Sequence, residues 1–345
     1  MSIERSIFNS KSEAAKFVEN KYGIIPTELV KLYGGSANCY RLTVGDSYYF
    51  LKEFPHNFDK AFLLREARVC QLLAEKGVPT SVFIKTLKND DTCTYRGRIF
   101  HLQKFINGIT LERLTEKQLM KSAEMLATIH NALQEADFLK ASFREGWFDE
   151  WSPKDSIERH QAIIDELPKS KKNIFYQQKA ADACHIKMNL LRAYDGNPSI
   201  FKHLKCVNTH GDYNNLQLLW DRSGGEICAV IDFSNAAKLP AVWELVRSYT
   251  LAAKECEHGD KIDPAGLWRY VRKYLEKAEL SLFDIQNMLP FYYYNLLRST
   301  YGLNLTNKSA LEFAIWRTKL CQYLKENEKK ITQYLCAKYL EEYKK

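Results

Sequence analysis

The stretch His210-Gly211-Asp212-Tyr213-Asn214-Asn215-Leu216-Gln217, followed a hairpin's length later by Ile231-Asp232-Phe233, decides how this chain is read. Between the two aspartates, Leu216 to Trp220 and Ile227 to Phe233 are apolar, partly β-branched runs that flank Asp221-Arg222-Ser223-Gly224-Gly225. That pattern predicts a β-hairpin. With its turn near Gly224, Gln217 at the start of the first strand lies opposite Ile231 and Asp232 at the end of the second. Asp212 then sits in the loop just before the same mouth. Two carboxylates and an amide gathered there suit phosphoryl transfer from a nucleotide. Asp212 orients an acceptor hydroxyl and takes its proton, while Asp232 and the Gln217 amide oxygen hold Mg²⁺ against the phosphates.

A second constellation lies upstream and is independent of the first. Tyr48, Phe50, Lys52 and Phe54 alternate along Tyr48-Tyr49-Phe50-Leu51-Lys52-Glu53-Phe54, which puts a lysine on the aromatic face of a strand. An ammonium buried there needs a counter-charge. The next segment, Phe58 to Lys76, carries Phe62, Leu63, Val69, Cys70, Leu72 and Leu73 at helical spacing, and Glu66 falls inside that face. The plain alternative is a snorkelling lysine and a helix-edge glutamate. Ahead of this strand, Gly34, Gly35 and Ser36 precede Asn38 and a further strand, allowing the close backbone approach that phosphate oxygens require. Gly-Gly-Ser alone also reads as a turn.

Together these motifs resemble the aminoglycoside phosphotransferase and choline kinase-like family, small-molecule relatives of the protein kinases that include spore-coat-associated and homoserine-kinase-like members. The resemblance rests on His-Gly-Asp, the hairpin and Asp232, on Lys52 with Glu66, and on Gly34-Gly35 followed by Asn38 and Tyr40. It departs at Gln217, where Asn is usual; the amide oxygen is retained on a side chain longer by roughly 1.5 Å. The family implies an α+β, bilobal protein-kinase-like fold, with a small N-terminal antiparallel β lobe carrying one helix and a larger, mostly helical C-terminal lobe. On this chain the N-terminal lobe is expected at 1–103, a hinge at 104–107 and the C-terminal lobe at 108–345. The resemblance further implies that Lys52 clamps the α- and β-phosphates, that Glu66 anchors Lys52, and that Gly34, Gly35, Ser36 and Asn38 approach the nucleotide, ATP or GTP. The order of elements assigns Gln103, Lys104, Phe105 and Ile106 to the adenine edge.

Composition bounds the reading. A chain of 345 residues exceeds the usual single-domain size, so two lobes are expected. The 46% hydrophobic and 27% charged content is that of a globular protein. Nine cysteines without C-x-x-C spacing give neither a disulfide framework nor a zinc site. With no signal sequence and no long apolar run, the cytoplasm is the expected compartment and no membrane partner is expected. The net charge of +8 is spread among acidic residues, which argues against a nucleic-acid partner and is met by nucleotide binding. The Lys169 to Lys172 run reads as a solvated loop.

The segment after Asp232 bears on the acceptor. Ser234 to Pro240 passes almost directly into Val242-Trp243-Glu244-Leu245-Val246-Arg247, leaving too little chain for a peptide platform, so a small hydroxylated molecule is expected. Glu244 and Arg247 on that helix read as structural or substrate contacts, and the role expected of them is a buried ion pair with each other that holds the helix in place. Glu116 to Leu133 reads as an amphipathic helix capped by Thr115, with His130 packed inside it. Phe291 to Tyr294 with Asn295 and Arg298, and the group Trp147, Phe148, Asp149, Glu150 and Trp151, could line an acceptor pocket, though core packing is the competing reading. Lysine and arginine outnumber aspartate and glutamate after Leu251, which disfavours a polycationic aminoglycoside without excluding it. A sugar, an amino alcohol or a homoserine-like metabolite stays open. The alternative from another class is a catalytically weak or inactive kinase-like binding or structural protein, for example a spore-coat-associated one, with Gln217 as its main support.

Overall fold

The structure is a computed structural model and describes residues 5–32, 37–56, 58–142, 152–167, 174–305 and 307–343. Helix α1 (Lys11–Tyr22) opens the chain; the Ser10 hydroxyl accepts from the Glu13 N–H at its start, and Gly23 stops it in the left-handed region. Strands β1 (Glu28–Leu32), β2 (Asn38–Val44) and β3 (Ser47–Glu53) form an antiparallel meander. Helix α2 (Lys60–Glu75) then precedes β4 (Phe83–Ile84), β5 (Cys93–Tyr95) and β6 (Arg98–Lys104). The six strands make one sheet in the order β1-β2-β3-β6-β4, with β5 on β6.

Strand alternation gives this sheet two apolar faces. Tyr40, Leu42, Leu51, Phe100 and Leu102 pack on Ala14, Phe17 and Val18 of α1, whereas Cys39, Phe50, Lys52 and Phe54 face a cleft on the other side. The lobe thus carries α1 as well as the one helix expected. Helix α2 buries Leu63, Glu66, Ala67, Val69, Cys70 and Leu73; Phe62, expected on that face, is exposed and stands at the rim of the cleft.

The rest of the chain is mainly helical: α3 (Glu116–Ala132), α4 (Pro153–Glu166) and α5 (Ile174–Arg192), then β7 (Cys206–Thr209), the hairpin β8 (Leu218–Trp220) and β9 (Ile227–Val230), β10 (Ala237–Pro240) paired with β7, and α6 (Ala241–Ala252), α7 (Pro264–Leu275), α8 (Leu282–Arg298) and α9 (Lys308–Tyr343). The expected start of α3 is found. Thr115 and Gln118 close a capping box on α3, Asp263 caps α7 ahead of Pro264, and Ser281 with Asp284 boxes α8. Phe291, Tyr292, Tyr293 and Tyr294 are all buried in the main core, so the tyrosine run is packing and not an exposed acceptor wall. Trp147 to Trp151 and Lys169 to Lys172 lie outside the described residues. Among the described residues no helix is long and apolar enough to cross a membrane.

Two contacts tie the sheet lobe to the hairpin. The Val230 N–H donates to Pro79 O at 2.9 Å and the Thr80 hydroxyl to Val230 O at 2.9 Å. Arg65 of α2 donates to Ser234 O at 3.3 Å. The segment carrying Asp232 is therefore fastened to the helix carrying Glu66.

Candidate active site

The hairpin forms in the expected register. Leu218 pairs with Val230, and the Ile231 N–H donates to Gln217 O at 3.0 Å, so Gln217 and Ile231 face each other at its mouth. The strands are shorter than the apolar runs, because Asn214 caps a short 3-10 turn, Asn215–Gln217, before β8 begins. Asp232 follows β9 with φ 65° and ψ 61°, a left-handed conformation rare outside glycine and a strained one for a side chain to hold.

Loop 210–215 is built from half-buried hydrogen bonds. The Asp212 N–H donates to His210 Nδ1 at 3.2 Å, which leaves His210 Nε2 to donate to Ile231 O at 2.9 Å. The histidine of the motif thus ties one aspartate's loop to the strand of the other. Gly211 has φ +81°, and a Cβ there would stand 1.8 Å from the Asn235 carbonyl oxygen, so the position accepts glycine alone. Asn214 Nδ2 donates to Asp212 O at 2.7 Å, and Asn215 Nδ2 donates to Leu111 O and Glu112 O at 2.9 and 2.8 Å.

Glu244 and Arg247 do not pair with each other. One turn apart on α6, they face different partners. The fully buried Glu244 carboxylate accepts from the backbone N–H groups of Gly211 (2.7 Å), His210 (3.1 Å) and Tyr213 (3.3 Å), and lies 2.9 Å from His130 Nε2. His130 is held in turn by the Tyr274 hydroxyl at 2.8 Å. Burial alone would raise the Glu244 pKa, but the hydrogen bond and charge of His130 and the backbone donors outweigh it and hold it below the ordinary value. Arg247 Nη2 lies 2.5 Å from Asp212 Oδ1, while Gln217 Nε2 reaches Asp212 Oδ2 at 3.5 Å.

Lys52, Glu66, Gln217 and Asp232 line one cleft of about 850 Å³ between the sheet and the hairpin. Burial would depress the Lys52 pKa, but the carboxylates of Glu66 and then Asp232 raise it above its usual value. Burial, with Asp232 adding to it, pushes Glu66 up to about 7 against the opposing pull of Lys52 and the Phe233 backbone. The glutamate is therefore the strained member of the set. A carboxyl raised in the folded state opposes folding once pH exceeds its unfolded value of 4.5, and the penalty is complete above about 7. The difference in stability between Glu66→Gln and wild type is accordingly expected to shift in the variant's favour as pH rises from about 5 to about 7. Denaturant midpoints measured across that range check it, and a flat difference contradicts it.

Of the residues assigned to the nucleotide, Gln103, Lys104, Phe105 and Ile106 line the cleft. Gln103 Nε2 is tied to Ser81 O at 3.0 Å, and the Phe105 N–H is already given to Tyr48 O at 2.9 Å, so that amide is not free to meet a base. Asn38 does not line the cleft. It sits opposite Glu53, on the strand face shared with Tyr40, while its neighbours Ala37 and Cys39 face the cleft instead. Gly34, Gly35 and Ser36 lie outside the described residues. Asn214, Asn215 and the separate roles of Glu244 and Arg247 were not legible beforehand, and His130, packed in its helix as expected, adds an unforeseen tie to Glu244; a carboxylate on an otherwise apolar helix face was the available signal for Glu244.

The polar atoms at the mouth fit a hard cation. Asp232 accepts from the Ser234 hydroxyl through Oδ1 at 2.9 Å, and its Oδ2 and the Gln217 amide oxygen take no partner among the described residues. One carboxylate and one amide oxygen suit Mg²⁺, which keeps waters and phosphate oxygens as its other ligands. Among the described residues no group of three or more His, Cys, Asp or Glu could hold a metal unaided.

Residues 29–277, more than half of the chain, match the phosphotransferase enzyme family APH. The chain belongs to that family. Membership carries the class of reaction, transfer of a phosphoryl group to a hydroxyl of a small molecule. Its fold is shared with spectinomycin phosphotransferase APH(9)-Ia, solved with ADP and spectinomycin (14% identity, 94% of this chain and 97% of the other, TM-score 0.59). It is also shared with a microcompartment-associated aminopropanol kinase (15% identity, 94% and 99%, TM-score 0.61) and with an ethanolamine kinase of Plasmodium vivax (13% identity, 94% and 93%, TM-score 0.60). No curated protein matches the sequence significantly.

Proposed function

We propose that this phosphotransferase moves the γ-phosphoryl group of ATP or GTP, with Mg²⁺, to a hydroxyl of a small molecule held at Asp212. The observation that carries the proposal is that Gln217 and Asp232 line the cleft that holds Lys52 and Glu66, with Asp212 just outside it, its Oδ2 3.5 Å from Gln217 Nε2. Residues 104–107 are the crossing between an N-terminal lobe, 1–103, and a C-terminal lobe, 108–345. The Lys104 carbonyl and the Ile106 N–H, which has no partner among the described residues, meet the base edge. Lys52 takes the α- and β-phosphates, and Glu66 holds the lysine toward them. Bound Mg²⁺, held by Asp232 and Gln217, supplies neutralisation of charge on the β- and γ-phosphates.

Asp212 accepts the acceptor's proton as the hydroxyl oxygen bonds to the γ-phosphorus and the bond to the bridging oxygen breaks. Arg247 and Gln217 fix the carboxylate's orientation for that step. After Asp232 the chain turns through Phe233–Asn235 into β10 and α6 without a platform for a peptide, which supports a small acceptor. Transfer of label from γ-labelled ATP and GTP to a panel of small alcohols tests the proposal. Mg²⁺-dependent, acceptor-dependent transfer supports it, and its absence with bound nucleotide intact contradicts it.

A further inference from the structure

The cleft has apolar residues suited to the faces of a planar ring and a polar edge. Phe50 of β3 and Leu219 and Ile231 of the hairpin line it. Apolar faces do not tell one purine from another, so the choice falls to the edge, where Ser81, Gln103, Lys104 and Ile106 also line the cleft. Gln103 and Ser81 are only 6% and 8% exposed, so protein partners and not bulk water fix the direction of their polar groups.

The donors on this edge are turned inward. Gln103 Nε2 donates to Ser81 O at 3.0 Å, and the Ser81 hydroxyl donates to Lys104 O at 2.5 Å. Both acceptors are carbonyl oxygens, which cannot donate, so the amide must face Ser81 with its nitrogen and the hydroxyl proton must point at Lys104 O. The Phe105 N–H is spent on Tyr48 O. Gln103 Oε1 has no partner among the described residues and is not sealed from solvent. Because Gln103 lines the cleft, that oxygen opens into it. Lys104 O has a second lone pair to offer beside it. The edge thus presents two acceptors joined through Ser81, followed two residues on by a single donor, the Ile106 N–H.

We propose that Gln103 makes the cleft selective for 6-aminopurine over 6-oxopurine nucleotides, so that ATP is taken in preference to ITP and GTP. A 6-amino group offers two N–H donors to Gln103 Oε1 and Lys104 O, and the neighbouring N1 accepts from the Ile106 N–H. A 6-oxo base reverses both relations: it sets an oxygen against two oxygens and an N1–H against an N–H. The selection acts by leaving buried groups unpaired with the wrong base, which costs about tenfold or more in affinity. The inference rests on the kinase reading above and decides between the two nucleotides that reading admits.

The test measures Mg²⁺-dependent thermal stabilisation by ATP, ITP and GTP, converted to Kd, in wild type and in Gln103→Met, which keeps the side chain's length and removes its oxygen. ITP differs from ATP at position 6 and the adjoining N1 proton alone. Mg·tripolyphosphate, which carries no base, reports on the phosphate end. Wild type is expected to bind ATP about tenfold or more tighter than ITP and GTP. In Gln103→Met the ATP-to-ITP ratio is expected to fall by about fivefold or more, with stabilisation by Mg·tripolyphosphate unchanged. A residue that only packs the pocket weakens ATP and ITP alike, so an unchanged ratio in the variant overturns the role given to Gln103. ITP or GTP bound as tightly as ATP by wild type overturns the proposal whether or not the variant folds, and leaves the kinase reading standing. No stabilisation of wild type by any of the three nucleotides overturns that reading, and the proposal with it.

Discussion

Asp212→Asn lowers kcat by about a thousandfold while the KM for the nucleotide stays within about twofold, because a positioned base contributes roughly 10² to 10⁴ and the phosphate cradle is untouched. The Asn side chain keeps the shape and can still face Gln217, but it neither accepts the hydroxyl proton nor balances Arg247. Steady-state kinetics with the identified acceptor, alongside nucleotide titration, check both halves. A nucleotide KM that rises in step with the fall in kcat contradicts the assignment, since it places Asp212 in nucleotide binding.

The second large effect is on folding. Glu244→Ala removes the acceptor of three buried N–H groups, those of His210, Gly211 and Tyr213, together with the partner of His130. Leaving such donors unmatched in the interior is expected to destabilise the protein by about 3 to 5 kcal/mol and to abolish turnover by releasing the loop that carries Asp212. The pH dependence has a definite sign. A carboxylate whose folded pKa is held below its unfolded value of 4.5 contributes fully above 4.5, and the contribution fades as pH falls through the lower folded value. The gap in denaturant midpoint between wild type and Glu244→Ala is therefore full above about pH 5 and narrows in acid. A gap that widens as pH falls contradicts the hydrogen-bonding role.

What could be read beforehand was what is local. The hairpin, the lysine on an aromatic strand face, the glutamate on the next helix and the cap of α3 each announce themselves within a few residues, by a period of two or 3.6 or by turn chemistry. The misjudged positions depend on partners far along the chain. Asn38 adjoins the glycine pair in sequence, but the pleat gives it to the face of Tyr40, and the register that decides this belongs to the whole sheet. Glu244 and Arg247 have helical spacing that suits an ion pair, yet α6 runs beside loop 210–215, whose orphan N–H groups and Asp212 claim one residue each. Phe105, assigned to the adenine edge by the order of elements, gives its amide to Tyr48 O of β3 instead. Gln217, the departure that favoured an inactive protein, lines the cleft beside Asp232.

The central claim is a metal-assisted nucleotide site anchored by Asp232, and thermal stabilisation of wild type and Asp232→Ala by ATP and GTP, with and without Mg²⁺, tests it most directly. Wild type is expected to be stabilised by about 3 to 4 kcal/mol with at least one nucleotide at roughly 100- to 1,000-fold excess over Kd. That stabilisation should require Mg²⁺ and be largely lost in Asp232→Ala. Stabilisation indifferent to both the metal and Asp232, or none with either nucleotide, contradicts the account.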